Sequence, residues 1–188
     1  DYSQPGAYFV TICVRNRQLD FGEIVGDNVS LSPIGDIAGK YWREIPQHFP
    51  DVDIHEYVVM PNHIHGIIVI LDGSSHQGRG VQSNTPTENR FSRISPARGS
   101  LAVIVRAYKG AVTRWCRQNG YPEFRWQRGY YDHIIRNEES LIRIRQYIAN
   151  NPQRWAFDKE NAARNGDDHR DRWISPHGAP PDPPSAKY

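Results

Sequence analysis

The sequence predicts an α+β domain, a ferredoxin-like antiparallel sheet with helices packed on one face. Three observations point there. Apolar, β-branched runs of strand length alternate with amphipathic stretches of helical period. Their order is β, α, β, β, α, β, α, which one sheet with helices laid against it satisfies economically. The chain has 188 residues, 38% hydrophobic and 23% charged, enough to bury one ordinary core.

The first strand is read in "AYFVTICVRN", Ala7 to Asn16, which is rich in β-branched and aromatic residues. "FGEIVGDNVSLSP" offers turns and a short hairpin. Ser32 is placed to cap a helix with Pro33 at its first position; Ile34, Ile37, Ala38, Tyr41 and Trp42 recur at helical spacing until Pro46 stops it. "DIHEYVVM" and "HIHGIIVIL" then read as two strands joined at Pro61-Asn62, a turn-favouring pair. Asp72 to Arg98 is rich in Gly, Ser, Asn and Pro and reads as a mobile loop or disordered insert. A long amphipathic helix follows between Ser100 as cap and Gly120 as stop. "YYDHIIR" is a short strand, and a last helix starts at Asn137 and ends near Pro152. Residues 1–157 are thus expected to form the domain, with 158–188 a polar, Pro-rich tail.

Composition narrows the function classes. No apolar run approaches the ~20 residues that span a bilayer, so no membrane partner is expected. The opening "DYSQPGAYFV" reads neither as a signal peptide nor as a start, since Met60 is the only methionine; a trimmed piece is expected. Cys13 and Cys116 lack metal-ligand spacing and read as reduced thiols of a cytoplasmic protein. Net charge is only +2, but its distribution is uneven. Arg98 to Arg154 holds 11 Lys and Arg against 4 Asp and Glu, with aromatics interleaved in "RAYKGAVTRW" and "RWQRGYY". A basic, aromatic half suits a polyanion with exposed bases; a solvated face with no partner is the bland alternative.

"YVVMPNHIHGIIVI" interrupts a strand with imidazoles at 63 and 65. Side chains alternate along a strand, so His63 and His65 face one side and can share an ion, leaving positions open for water or substrate. Alternatively they are polar residues on a solvated face. Tyr147 and Asn151 are four apart, hence on one helical face, although Pro152 biases Asn151 away from helical angles. A phenol is a poor nucleophile at neutral pH, but a metal that polarises a phosphate makes it useful, and an amide oxygen can complete the ion's shell. Without the histidines, Tyr147 reads as a core-facing aromatic at helical spacing.

"YFVTICVRNR", "YVVMPNHIHGIIVI", "RAYKGAVTRW" and "WQRGYYDHIIRNEESLIRIRQYIANNP" together resemble the REP-associated tyrosine transposases, single-tyrosine relatives of insertion-sequence transposases in the HUH endonuclease group. The resemblance runs from about Tyr8 to about Trp155, outside the loop and the tail. It implies His63 and His65 as metal ligands, Asn151 as third ligand and Tyr147 as nucleophile, with the histidines on a central strand. It implies a divalent metal, Mg²⁺ or Mn²⁺, as cofactor. The implied partners are single-stranded and hairpin DNA of REP-like palindromes, bound by a monomer or a homodimer and pointing to a bacterial, nucleoid-associated protein.

On that reading Arg98, Arg106, Lys109, Arg114, Arg125 and Arg128 are candidates for phosphate contacts, and Trp126 and Tyr130 for stacking on unpaired bases. Tyr130 and Tyr131 alternate, so at most one belongs in the core. Two rivals remain. A domesticated hairpin-DNA-binding protein without strand cleavage would not need the full set of His63, His65, Tyr147 and Asn151. A small metal-dependent hydrolase would need a carboxylate near the histidines, and Glu56 lies too far along its strand.

Overall fold

The computed structural model describes residues 4–72 and 99–163. Four strands form one sheet in the order β4-β5-β1-β6: β1 Gly6–Cys13, β4 Val52–Met60, β5 His63–Ile70 and β6 Tyr131–Ile135. Every neighbouring pair is antiparallel. β1 reaches β4, and β5 reaches β6, by crossing over the strand between them, which is the ferredoxin-like path expected from the element order.

Local chemistry sets the ends of the elements. β1 stops at Cys13, short of Asn16, because the chain turns at Arg15–Arg17, where Asn16 (φ 55°) and Arg17 (φ 54°) are left-handed. β2 Gly22–Val25 and β3 Asn28–Leu31 form the hairpin, with Gly26 (φ 61°) supplying the left-handed turn that costs other residues more. α1 Pro33–Arg43 is capped as read: the Ser32 hydroxyl accepts from Gly35 N at 3.1 Å. Pro46 does not end that helix but sits in the first turn of a separate short one, α2 Ile45–His48. α3 Leu101–Gln118 and α4 Glu138–Asn150 follow, and Asn137 Oδ1 accepts from Ser140 N at 2.8 Å. Residues 73–98, the expected loop, lie outside the described residues.

Alternation divides the sheet into two faces. Tyr8, Val10 and Ile12 of β1 and Ile64 and Ile68 of β5 face α1 and α3, the expected helix layer, and form the main core with Trp42, Ile104, Tyr108 and Val112. The opposite face presents Phe9 and Ile67, covered by Ile144, Tyr147 and Ile148 of α4. The last helix therefore stands apart from the first two and places its own apolar stripe over the histidine side of the sheet. Each buried isoleucine there contributes roughly 1.5–3 kcal/mol.

Gly66 shows how closely the main core is fitted. It is buried between Val10 and Tyr57 of the flanking strands. A Cβ added there would overlap Trp42 Cζ2 and lie 2.9 Å from Cε2 and 3.0 Å from Tyr57 Cβ. Trp42 is fully buried and packs edge-on to Tyr108 (ring centroids 5.3 Å), so it has no room to withdraw. Gly66→Ala is expected to cost about 1–3 kcal/mol by overpacking. A lower urea midpoint at unchanged m would register it; an unaltered midpoint would contradict this account of the core.

Candidate metal and tyrosine site

β5 is a central strand, and its alternation puts His63 and His65 on the α4 side, fully buried, ring centroids 4.3 Å apart. Their outer nitrogens are fixed by neighbours. Asn62 Nδ2 donates to Glu160 O at 2.8 Å and to Arg17 O at 3.3 Å, so its oxygen is left to accept. That oxygen lies 2.8 Å from His63 Nδ1, which assigns the proton to Nδ1 and the free lone pair to Nε2. His65 Nδ1 meets Thr11 Oγ1, its cross-strand partner, at 2.9 Å. Both inner nitrogens, Nε2, thus turn toward one space. Such outer partners hold metal-binding imidazoles in one tautomer and orientation.

The helix α4 brings Tyr147 to the same space. Its hydroxyl is 3.2 Å from His65 Nε2, and its ring meets Phe9 edge-on with centroids 6.0 Å apart. The residue is only 8% exposed. Asn151 also arrives, buried, with helical angles (φ −61°, ψ −41°) despite the following proline, because Pro152 opens a new 3-10 turn, Pro152–Phe157. Its Nδ2 donates to Asp158 Oδ2 at 3.0 Å.

Asp158 was not legible as a site residue. The turn Pro152–Phe157 carries the chain back over the sheet, and the packed body continues through Glu160, past the expected boundary at 157. Asp158 Oδ2 lies 3.8 Å from His63 Nε2 and 3.9 Å from His65 Nε2. Its other oxygen accepts from Glu160 N at 2.7 Å. A carboxylate therefore does stand near the histidines: Asp158, supplied by the segment read as tail. Burial favours its protonation, but the nearby imidazoles and the Glu160 amide outweigh this and hold its pKa below the usual carboxylate range.

The donor chemistry fits a divalent cation. His63, His65 and Asp158 each turn a ligand atom inward, all within 4.8 Å of one another. His63 Nε2 and Asn151 Oδ1 are buried with no hydrogen-bond partner among the described residues. Two lone pairs and a carboxylate facing one another without a proton is a costly arrangement that an ion would relieve. Burial, then the neighbouring His65, drives the His63 pKa well below the ordinary histidine value, with Asp158 opposing. A neutral imidazole is the form a metal takes. The sign for stability follows: below a pH of about 6.5 the unfolded chain binds a proton that the folded chain refuses, so acidification destabilises the metal-free protein. Unfolding midpoints measured from pH 7 to pH 5 should fall, and His63→Gln should flatten the fall.

The remaining candidates are dispersed. Arg98 lies outside the described residues. Arg106, Arg114, Arg125 and Arg128 are exposed. Lys109 instead donates to the carbonyls of Gln127 (2.7 Å) and Gly129 (2.8 Å), bracing the loop before β6. Trp126 is half-buried against Phe21, Phe124 and Tyr108, its Nε1 donating to Lys109 O at 3.1 Å. Of the tyrosine pair, Tyr130 packs on the core and Tyr131 is 38% exposed. Among the described residues no helix is long and apolar enough to cross a membrane.

This fold has a counterpart among solved structures. The solved structure of a REP-associated tyrosine transposase bound to a REP hairpin superposes with a TM-score of 0.57 and 21% identity, covering 85% of this chain and 73% of that one. At that identity the likeness is one of fold. No family model matches. The chain is 41% identical over 162 residues to an uncharacterized protein of Haemophilus influenzae, covering 85% of this chain and 87% of that protein, and it belongs to that protein's family.

Proposed function

We propose that this chain is a metal-dependent single-strand DNA endonuclease and strand transferase that nicks and rejoins DNA beside palindromic hairpins. The observation that carries the reading is the Tyr147 hydroxyl, brought by α4 to 3.2 Å from His65 Nε2 and into the space shared with His63 and Asp158. His63, His65 and Asp158, with Asn151 beside them, would hold a Mg²⁺ or Mn²⁺ ion, which when bound draws charge from a scissile phosphate.

The protein groups account for the rest. The edge-on contact with Phe9 fixes the Tyr147 ring, and α4 fixes its height above the sheet. Its oxygen attacks phosphorus; the new bond is tyrosyl O–P, and the bond that breaks joins phosphorus to the 3′ oxygen. The phenol loses one proton and the released 3′-hydroxyl gains one, leaving a 5′-phosphotyrosine link. One phosphodiester replaces another, so rejoining needs no ATP. Asn62 and Thr11 hold the two rings so that each Nε2 faces the shared space.

A reading as a hairpin-binding protein without cleavage is favoured by one observation, the burial of Tyr147 beneath α4. Labelled hairpin DNA carrying an unpaired flank separates the possibilities on a denaturing gel. With Mn²⁺ the wild type should yield a slow-migrating covalent adduct, absent with chelator and absent for His63→Ala. Tight hairpin binding indifferent to chelator, with no cut strand at any metal concentration, would replace this reading with the binding one. A cut strand bearing a free 5′-phosphate and never an adduct would replace it with metal-dependent hydrolysis.

A further inference from the structure

The same turn that ends β1 opens a second feature. Arg15 and Arg17 share a cleft of about 730 Å³ with Arg125, Trp126, Gln127 and Arg128, and no carboxylate is among its lining residues. Four guanidinium groups converge there from two segments that are far apart in sequence. The backbone locks them together: Arg15 N donates to Arg125 O at 2.9 Å, Gln127 N to Cys13 O at 2.9 Å, and Val14 bridges Trp126. Lys109 braces the far wall through the carbonyls of Gln127 and Gly129.

The four groups are not equivalent. Arg17 is paired with the buried Glu160 at 3.4 Å, and Arg125 donates to the carbonyls of Pro122 and Phe124. Arg15 and Arg128 are exposed and have no acidic partner among the described residues. With Arg17 neutralised by Glu160, three like charges remain in one concavity, and they repel each other less when an anion joins them.

The cleft is also linked to the tyrosine site through the chain and its hydrogen bonds. Its floor begins at the residue pair after Cys13, which lies across from His63 in the β1–β5 ladder. Asn62, which orients His63, holds the carbonyl of Arg17 with its other end. A strand leaving the histidines along the end of β1 meets Arg15 next. We propose that this cleft seats the phosphate backbone of an unpaired DNA strand bound at Tyr147, with Arg15 and Arg128 as its principal phosphate contacts. The inference rests on the nicking reading for the identity of the polyanion. The strand is unpaired because a duplex cannot bring a backbone phosphate down to a hydroxyl buried under a helix. The site thereby adds Arg15 and Arg17, outside the basic half of the sequence, to Arg125 and Arg128 within it.

The experiment is fluorescence anisotropy of a labelled unpaired oligonucleotide with the full chain, in chelator so that no cutting intervenes, across a series of salt concentrations. Arg15→Glu with Arg128→Glu is expected to weaken binding at least about tenfold and to flatten the slope of log K against log salt by about 1.4, or 0.7 for each lost contact. Arg15→Lys with Arg128→Lys should keep most of the affinity, which a general loss of folding would not allow. Arg15→Gln with Arg128→Gln gives the same reading if the charge reversal fails to fold. Unchanged affinity and slope in the reversal or Gln pair would overturn the assignment, as would an equal loss on a blunt duplex of the same sequence. If the wild type never forms the covalent adduct, the nicking reading fails, while this measurement still decides the cleft.

Discussion

Replacing Tyr147 with phenylalanine should abolish the covalent protein–DNA adduct while leaving a folded protein that still binds hairpin DNA. The ring keeps its edge-on packing with Phe9 and its place among Ile144 and Ile148. Only the hydroxyl is lost, and with it the 3.2 Å contact to His65. Loss of one such hydrogen bond costs about 1 kcal/mol of stability, so the unfolding midpoint should move little. Adduct formation depends on that oxygen absolutely and should drop below detection, by on the order of 10³-fold or more. An adduct formed as readily as by the wild type would refute the nucleophile assignment. The next residue to try is then Tyr131, because it pairs with Thr11 across β1–β6 and Thr11 touches His65; Tyr130 packs on the main core.

Asp158→Ala is the second substitution with a large expected effect. It removes a buried carboxylate whose two oxygens hold Asn151 and the amide of Glu160 while facing both imidazoles. If Asp158 is a ligand, Mn²⁺ affinity measured by calorimetry should fall by more than about tenfold, beyond the loss of an outer-shell partner at its mildest. Adduct formation should fall with it and recover in part at high Mn²⁺. Asp158→Asn keeps the shape but removes the charge together with one of the two accepted hydrogen bonds, since both carboxylate oxygens are acceptors here and the amide offers only one. Mn²⁺ binding that is unchanged or tighter in both variants would mean that the carboxylate stands in the ion's place rather than beside it, and that the protein ligands are His63, His65 and Asn151 alone.

These two residues mark the limits of what the sequence discloses. Helical spacing ties Tyr147 to Asn151, and the resemblance implies roles for the pair; the structure sets the Tyr147 hydroxyl 3.2 Å from His65 and Asn151 against Asp158. The alternation of β5 was enough to place His63 and His65 on one side. Capping chemistry at Ser32 and Asn137 located two helix starts, since a side-chain oxygen three residues before an amide is a local signal. Asp158 had no such signal. It follows a polar turn, and only the path of Pro152–Phe157 back across the sheet makes it a neighbour of the histidines. Arg15 and Arg17 were passed over for a related reason: they extend an apparent strand, and their charge matters only because β1 ends early and the chain from Arg125 to Arg128 is laid beside them. Lys109 errs in the opposite direction, a surface cation in sequence that the fold uses to hold a loop.

Asn62 occupies the two-residue link between β4 and β5, yet its side chain ties together residues 17, 63 and 160. Those contacts come from the beginning, the middle and the end of the described chain. Without the segment after α4 the imidazoles would keep their partners Thr11 and Asn62 but would have no facing carboxylate. The facing of the imidazoles by a carboxylate is thus a long-range product of the fold, complete only where the segment after α4 lies back over the sheet.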